Sequence, residues 1–138
     1  MNSTWKIIAV LVCAALPAAA SDFKVIANSS VTAATISPED LKSIFLTTKT
    51  ALSDGHHVEP VLLRSGIVHE TFVRHYVGRT TIALQNYYRS LVFAGKGIMP
   101  KMLASDEEVV AYVSRTKGAI GYVSPHSNVG GLKILQVK

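Results

Sequence analysis

The sequence predicts a layered α/β domain built on a mixed, largely parallel sheet. Three observations carry that prediction. Short apolar, β-rich runs at Phe23 to Ala27, Val58 to Arg64, Ala119 to Val123 and Leu132 to Val137 alternate with stretches of helical periodicity. The run Val61-Leu62-Leu63 is apolar at successive positions, as in a strand covered on both faces. The chain has 138 residues, of which 49% are hydrophobic and 17% charged, the size and composition of one globular domain plus a short appendage.

The appendage is residues 1–20. Lys6 supplies a positive start, Ile7 to Leu16 an apolar stretch too short to span a bilayer, and Ala18-Ala19-Ala20 the small residues that signal peptidase accepts. We therefore expect a cleaved signal peptide at 1–20, export to the periplasm (or secretion where no outer membrane exists), and a single domain at 21–138. The sole cysteine, Cys13, lies inside the leader. The domain that remains is large enough to bury a core without disulfides.

Each element of that domain has a local reason. Phe23 to Ala27 alternates and opens the fold as a strand, followed by a polar loop at Asn28-Ser29-Ser30. Ser37 is placed as an N-cap, Pro38 fits the first helical position, and Glu39 and Asp40 complement the helix dipole. Leu41, Ile44 and Phe45 then form an i, i+3, i+4 stripe, so Pro38 to Leu46 reads as a short helix packed on the sheet. Asp54-Gly55 marks a turn, Val58 to Arg64 a second strand, and Ser65-Gly66 its end. Phe72, Val73, Tyr76 and Val77 share a helical face that Gly78 terminates. Thr80 or Thr81 opens another helix with Leu84, Tyr87, Tyr88 and Leu91 inward. Ala94 to Pro100 is too rich in Gly and Pro to be regular, which makes it an exposed loop. Ser105 to Glu108 has the Ser-x-x-Glu capping pattern and starts a helix to about Arg115, with Val109, Val110 and Val113 inward.

Lys and Arg total 14 against 9 Asp and Glu, a formal charge of +5. The basic residues are scattered singly, without a Lys/Arg run or interleaved aromatics, so no nucleic-acid interface is expected. The balance favours anions and acidic surfaces instead. No metal site is expected: His69-Glu70 begins a His-Glu-x-x-His pattern, but Val73 stands where the second histidine belongs, and His56, His57, His69, His75 and His126 read as surface histidines. The domain has no cysteine, Ser65 lacks a Gly-x-Ser-x-Gly elbow, and no carboxylate is placed by sequence to orient a histidine; neither an enzyme nor a cofactor is expected. Tyr87, Tyr88 and Tyr112 sit at helical spacing among apolar residues and read as packing.

The candidate ligand-binding residues are Arg64, Ser65 and Gly66, between a predicted strand and a predicted helix. Ligands of open α/β sheets gather at the carboxyl ends of strands, where helix N-termini offer free N–H groups. Arg64 suits a bidentate contact to an oxyanion, Ser65 adds a hydroxyl, and Gly66 lets a ligand approach the backbone. The simpler reading is that Ser65 caps the helix, Gly66 makes the turn and Arg64 is solvated.

Taken together, Ile36-Ser37-Pro38-Glu39-Asp40-Leu41-Lys42-Ser43-Ile44-Phe45-Leu46, Asp54-Gly55, Pro60-Val61, Arg64-Ser65-Gly66, Val109 to Val113 and Gly118-Ala119-Ile120-Gly121-Tyr122-Val123 resemble, in this order, the phosphate-type periplasmic substrate-binding proteins of ABC transporters. The resemblance implies one lobe of a type II periplasmic-binding-protein fold. It also implies a solute-binding module for a small oxyanion such as phosphate, with Arg64, Ser65 and Gly66 as ligand contacts and a membrane permease or periplasmic protein as partner. A second copy of the chain in a homo-oligomer, or another protein, is a further expected partner that would complete a cleft. The competing expectation is an interaction or sensory module that keeps the fold without high-affinity ligand binding, using the Gly95 to Lys101 loop or a sheet edge.

Overall fold

The computed structural model describes residues 22–138; the signal-peptide expectation falls on residues outside that range. Among the described residues, six strands form one sheet: β1 (Lys24–Ala27), β2 (Thr35–Ile36), β3 (Glu59–Leu63), β4 (Lys101–Leu103), β5 (Ala119–Val123) and β6 (Lys133–Val137), in the order β2-β6-β1-β5-β3-β4. The β2–β6, β3–β5 and β3–β4 pairings are parallel. β1 runs antiparallel to both neighbours, with Lys24 opposite Val123 and Val25 opposite Leu135. The other five strands therefore point the same way, and their carboxyl ends share one edge. The sheet is mixed and largely parallel, as the sequence predicts.

The helices are α1 (Pro38–Phe45), α2 (Ile67–Phe72), α3 (Thr81–Phe93) and α4 (Asp106–Arg115). Three start on the expected side-chain caps: Ser37 Oγ accepts from the Asp40 N–H at 3.1 Å, Thr80 Oγ1 from Ala83 at 3.1 Å and Ser105 Oγ from Glu108 at 3.2 Å. α2 continues without a break into a π-helical stretch, Val73–Val77, closed by an i→i+5 bond from the Gly78 N–H to the Val73 carbonyl at 2.8 Å. Gly78 is left-handed (φ 73°), which is the reason a glycine ends this rod.

Two strands carry no signal in the sequence. β2 has only two residues and β4 three, too short to show an alternating pattern; both exist because a neighbouring strand offers a parallel edge. Three residues expected inward, Tyr87, Leu91 and Val110, are half-buried because they lie at the margins of their helical stripes.

The layers follow from alternation along β5. Gly121 faces α4, where a Cβ would stand 3.1 Å from Val109 Cγ1 and 3.5 Å from Val113 Cγ2. Tyr122 points the other way. Its ring stacks on Phe72 of α2 (centroids 3.8 Å, interplanar angle 10°) and lies near Phe45 of α1, which contacts Phe72 edge-on at 4.8 Å. α1 and α2 thus cover one face and α4 the other. α3 closes over the first group: the Tyr87 and Tyr88 hydroxyls donate to the Leu46 and Phe45 carbonyls at 2.7 and 2.5 Å. Burial pushes the Tyr88 hydroxyl pKa strongly up, so it remains a donor.

The arrangement has a functional corollary. The chain leaves β3 toward α2 on one face and leaves the adjacent β4 toward α4 on the other. Neighbouring strands whose connections diverge to opposite faces open a crevice at their carboxyl ends.

Candidate functional site

Arg64, Ser65 and Gly66 occupy that crevice, consecutive and exposed, just after β3. The Arg64 N–H donates to the Leu103 carbonyl at 2.8 Å, so the loop is fastened to the end of β4. Gly66 has φ 102° and ψ 171°, a region open essentially to glycine alone. It is the N-cap of α2, and no side chain accepts from the helix's first N–H groups. Ser65 is therefore not the cap that the simpler reading requires. The Glu70 N–H closes the first turn on the Gly66 carbonyl at 3.0 Å, so the N–H groups before it have no acceptor within the helix.

The three residues line one wall of a pocket of about 110 Å³. His69 and Glu70 of α2, Thr81, Ile82, Leu84 and Gln85 of α3, and Met102 of β4 complete it. A broader groove of about 410 Å³ adjoins it, sharing Glu70 and Thr81 and adding Arg74 and Arg79. Residues 71–105 carry Arg74, Arg79, Arg89, Lys96 and Lys101 and no acidic residue at all. Glu70 is thus the one carboxylate among the residues lining the two depressions.

His69 corrects the sequence reading. It is not a surface histidine: it is 6% exposed, in the wall of the pocket. Its Nδ1 lies 2.5 Å from the Tyr122 hydroxyl, which itself accepts from the Leu63 N–H at 3.2 Å. Burial holds the imidazole pKa below its usual value, against a smaller opposing pull from Glu70, and pushes the Tyr122 hydroxyl far up. The signal was present in the spacing. Residues 69, 72, 73 and 76 follow the i, i+3, i+4, i+7 pattern, placing His69 on the same stripe as Phe72, Val73 and Tyr76.

The remaining histidines do not converge. Nδ1 of His56 pairs with Asp54 at 3.0 Å in the exposed turn after α1, His75 packs on Tyr76, and among the described residues no three His, Cys, Asp or Glu side chains are grouped to hold a metal. Asp106, at the start of α4, accepts from the Ser124 N–H and the Ser127 hydroxyl, tying the α4 N-terminus to the loop after β5. No helix among the described residues is long and apolar enough to cross a membrane.

No protein-family model and no curated protein matches the sequence. Solved structures do match the fold. An ABC-type phosphate transport receptor from Vibrio cholerae superposes with a TM-score of 0.63 at 12% identity, over 84% of this chain and 46% of its own. PstS from Borrelia burgdorferi gives 0.63 at 19% identity, over 85% and 47%. A protein from Clostridium perfringens, solved with bound phosphate and ascribed to a phosphate ABC transporter, gives 0.61 at 15% identity, over 85% and 44%. This chain therefore spans less than half the length of each. Its fold is that of one lobe of a phosphate-type substrate-binding protein.

Proposed function

We propose that the chain is an exported, single-lobe module that binds a small oxyanion, phosphate first, and performs no chemistry. Residues 1–20 serve as the leader and 21–138 as the one domain. The observation that supports this most directly is the uncapped start of α2 at the strand-β3 crevice, with Arg64 and the Ser65 hydroxyl beside a glycine that lets a ligand reach the backbone. The likeness to phosphate receptors supports the same ligand class. A lone lobe leaves one side of the anion hydrated, so binding is weak unless a permease, another protein or a second copy covers it.

The test is thermal unfolding with phosphate, sulfate or chloride at matched ionic strength. A ligand at about 100 times its Kd stabilises the native state by about 2.7 kcal/mol. A phosphate-selective rise that Arg64→Ala abolishes supports the site; an equal rise with every salt, or none, overturns it.

One observation favours a second reading, docking to a protein partner without high-affinity ligand binding. Phe93 is 97% exposed and Ile98 87% exposed at the end of α3 and in the loop after it, beside Lys96. An apolar and basic surface of this kind suits an acidic partner. The unselective outcome above would favour it.

A further inference from the structure

The Tyr122 hydroxyl accepts from the Leu63 N–H, and among the described residues its own proton has one acceptor, Nδ1 of His69. Nδ1 is then unprotonated, and in the neutral imidazole the proton resides on Nε2. Nε2 has no hydrogen-bond partner among the described residues, yet no described buried polar atom lacks a partner; Nε2 is therefore accessible, and the opening available to it is the pocket His69 lines. The residue is 6% exposed, its ring held on one side by Tyr122 and offering a single N–H on the other.

We infer that His69 is a ligand-contacting donor of the pocket, fixed as its Nε2–H tautomer by Tyr122, and that it makes capture of a small oxyanion proton-linked. The inference rests on the proposal that the pocket beside Arg64 binds an anion. A bound anion favours the imidazolium, so binding draws a proton from solvent onto Nδ1, which then donates to the Tyr122 oxygen while the Tyr122 hydroxyl proton gives up its acceptor, and the affinity rises as pH falls. The charged and titratable groups facing His69 are few. Arg64 comes from the end of β3 and opposes protonation, Glu70 on α2 favours it, and Tyr122 from β5 stays neutral. α3 and β4 contribute Thr81, Ile82, Leu84, Gln85 and Met102, none of which titrates. The response therefore belongs to His69.

Sulfate is the probe, because unlike phosphate it keeps one charge state across the range. Calorimetric titration at pH 8.0 and 5.5, in buffers of differing ionisation enthalpy, reads both affinity and proton uptake. The wild type is expected to bind sulfate more tightly at pH 5.5, by up to about tenfold for each unit by which the anion raises the His69 pKa, with net proton uptake. His69→Gln can accept from Tyr122 and donate to the pocket but cannot titrate; its affinity ratio between the two pH values is expected near one, without uptake linked to residue 69. Should His69→Gln keep the wild-type slope while Arg64→Ala abolishes binding, the anion site stands and the role of His69 falls. Should the wild type bind no sulfate or phosphate at either pH, the site itself falls and this role with it. The ligand-free tautomer is read separately from imidazole nitrogen shifts, and a protonated Nδ1 on neutral His69 would overturn the assignment whatever the binding.

Discussion

The side-chain amide of Asn28, in the loop after β1, closes the carboxyl end of α4 through Val113: Nδ2 donates to the Val113 carbonyl at 2.7 Å and to that of Ser114 at 3.2 Å. Its Oδ1 accepts from the Ser30 N–H at 2.9 Å, and the residue is 5% exposed. One amide thus satisfies helix-end carbonyls and shapes the turn that follows β1. Asn28→Ala leaves a buried carbonyl without its donor and is expected to cost about 1–3 kcal/mol in urea unfolding. Asn28→Asp is expected to be worse at neutral pH than at pH 3, because it sets a carboxylate against those carbonyls. An Asp variant as stable as wild type at pH 7 would refute this account.

Gly118, just before β5, has φ 77°, and a Cβ there would collide with the His57 carbonyl oxygen. Backbone, unlike a flexible side chain, cannot swing away. Gly66 has the larger positive φ, 102°, but open space around it. Gly66→Ala is expected to cost the conformational strain alone, about 1–3 kcal/mol, and Gly118→Ala distinctly more. Equal losses in denaturant midpoint at constant slope would contradict the clash.

Asp54 holds the turn after α1. Its carboxylate accepts from the His56 N–H at 2.9 Å and the Thr32 hydroxyl at 2.7 Å, and pairs with the His56 ring. These contacts, the His56 N–H foremost, lower its pKa to about 2 from the ordinary 3.8. A depressed carboxylate contributes stability that is fully present above 3.8 and lost as pH falls through about 2. Asp54→Asn is expected to flatten the acid limb of the stability–pH curve in that window. An unchanged limb would show that the turn does not couple to folding.

His69 contributes on the other side of that window. Burial depresses its pKa below 6.5, so as pH falls the unfolded chain takes up the proton first. Stability is therefore expected to decline from about pH 6.5 down to the folded-state value and to level off below it. His69→Gln should remove this component. Because an anion in the pocket favours the imidazolium, sulfate should soften the decline in the wild type and not in the variant, as read from melting temperature against pH.

Much of the framework was legible in the sequence because the causes are local. Ser37-Pro38-Glu39 starts α1, Ser105 to Glu108 starts α4, Gly78 ends the helical rod, and the stripe Leu41, Ile44, Phe45 is fully buried as its spacing demands. Capping, dipole and periodicity act within a turn or two of chain, so residue order suffices. The short strands β2 and β4 left no such trace, since pairing with β6 and β3 creates them. Arg64, Ser65 and Gly66 could likewise be singled out from their place between strand and helix. What only the tertiary structure decided is their company. His69 meets Tyr122 across a separation of 53 residues, and α3 and β4 close the pocket from other parts of the chain. Hydrogen bonds and burial between distant segments depend on how the layers stack, and that stacking turned an apparent surface histidine into a buried one with a single N–H turned toward the pocket.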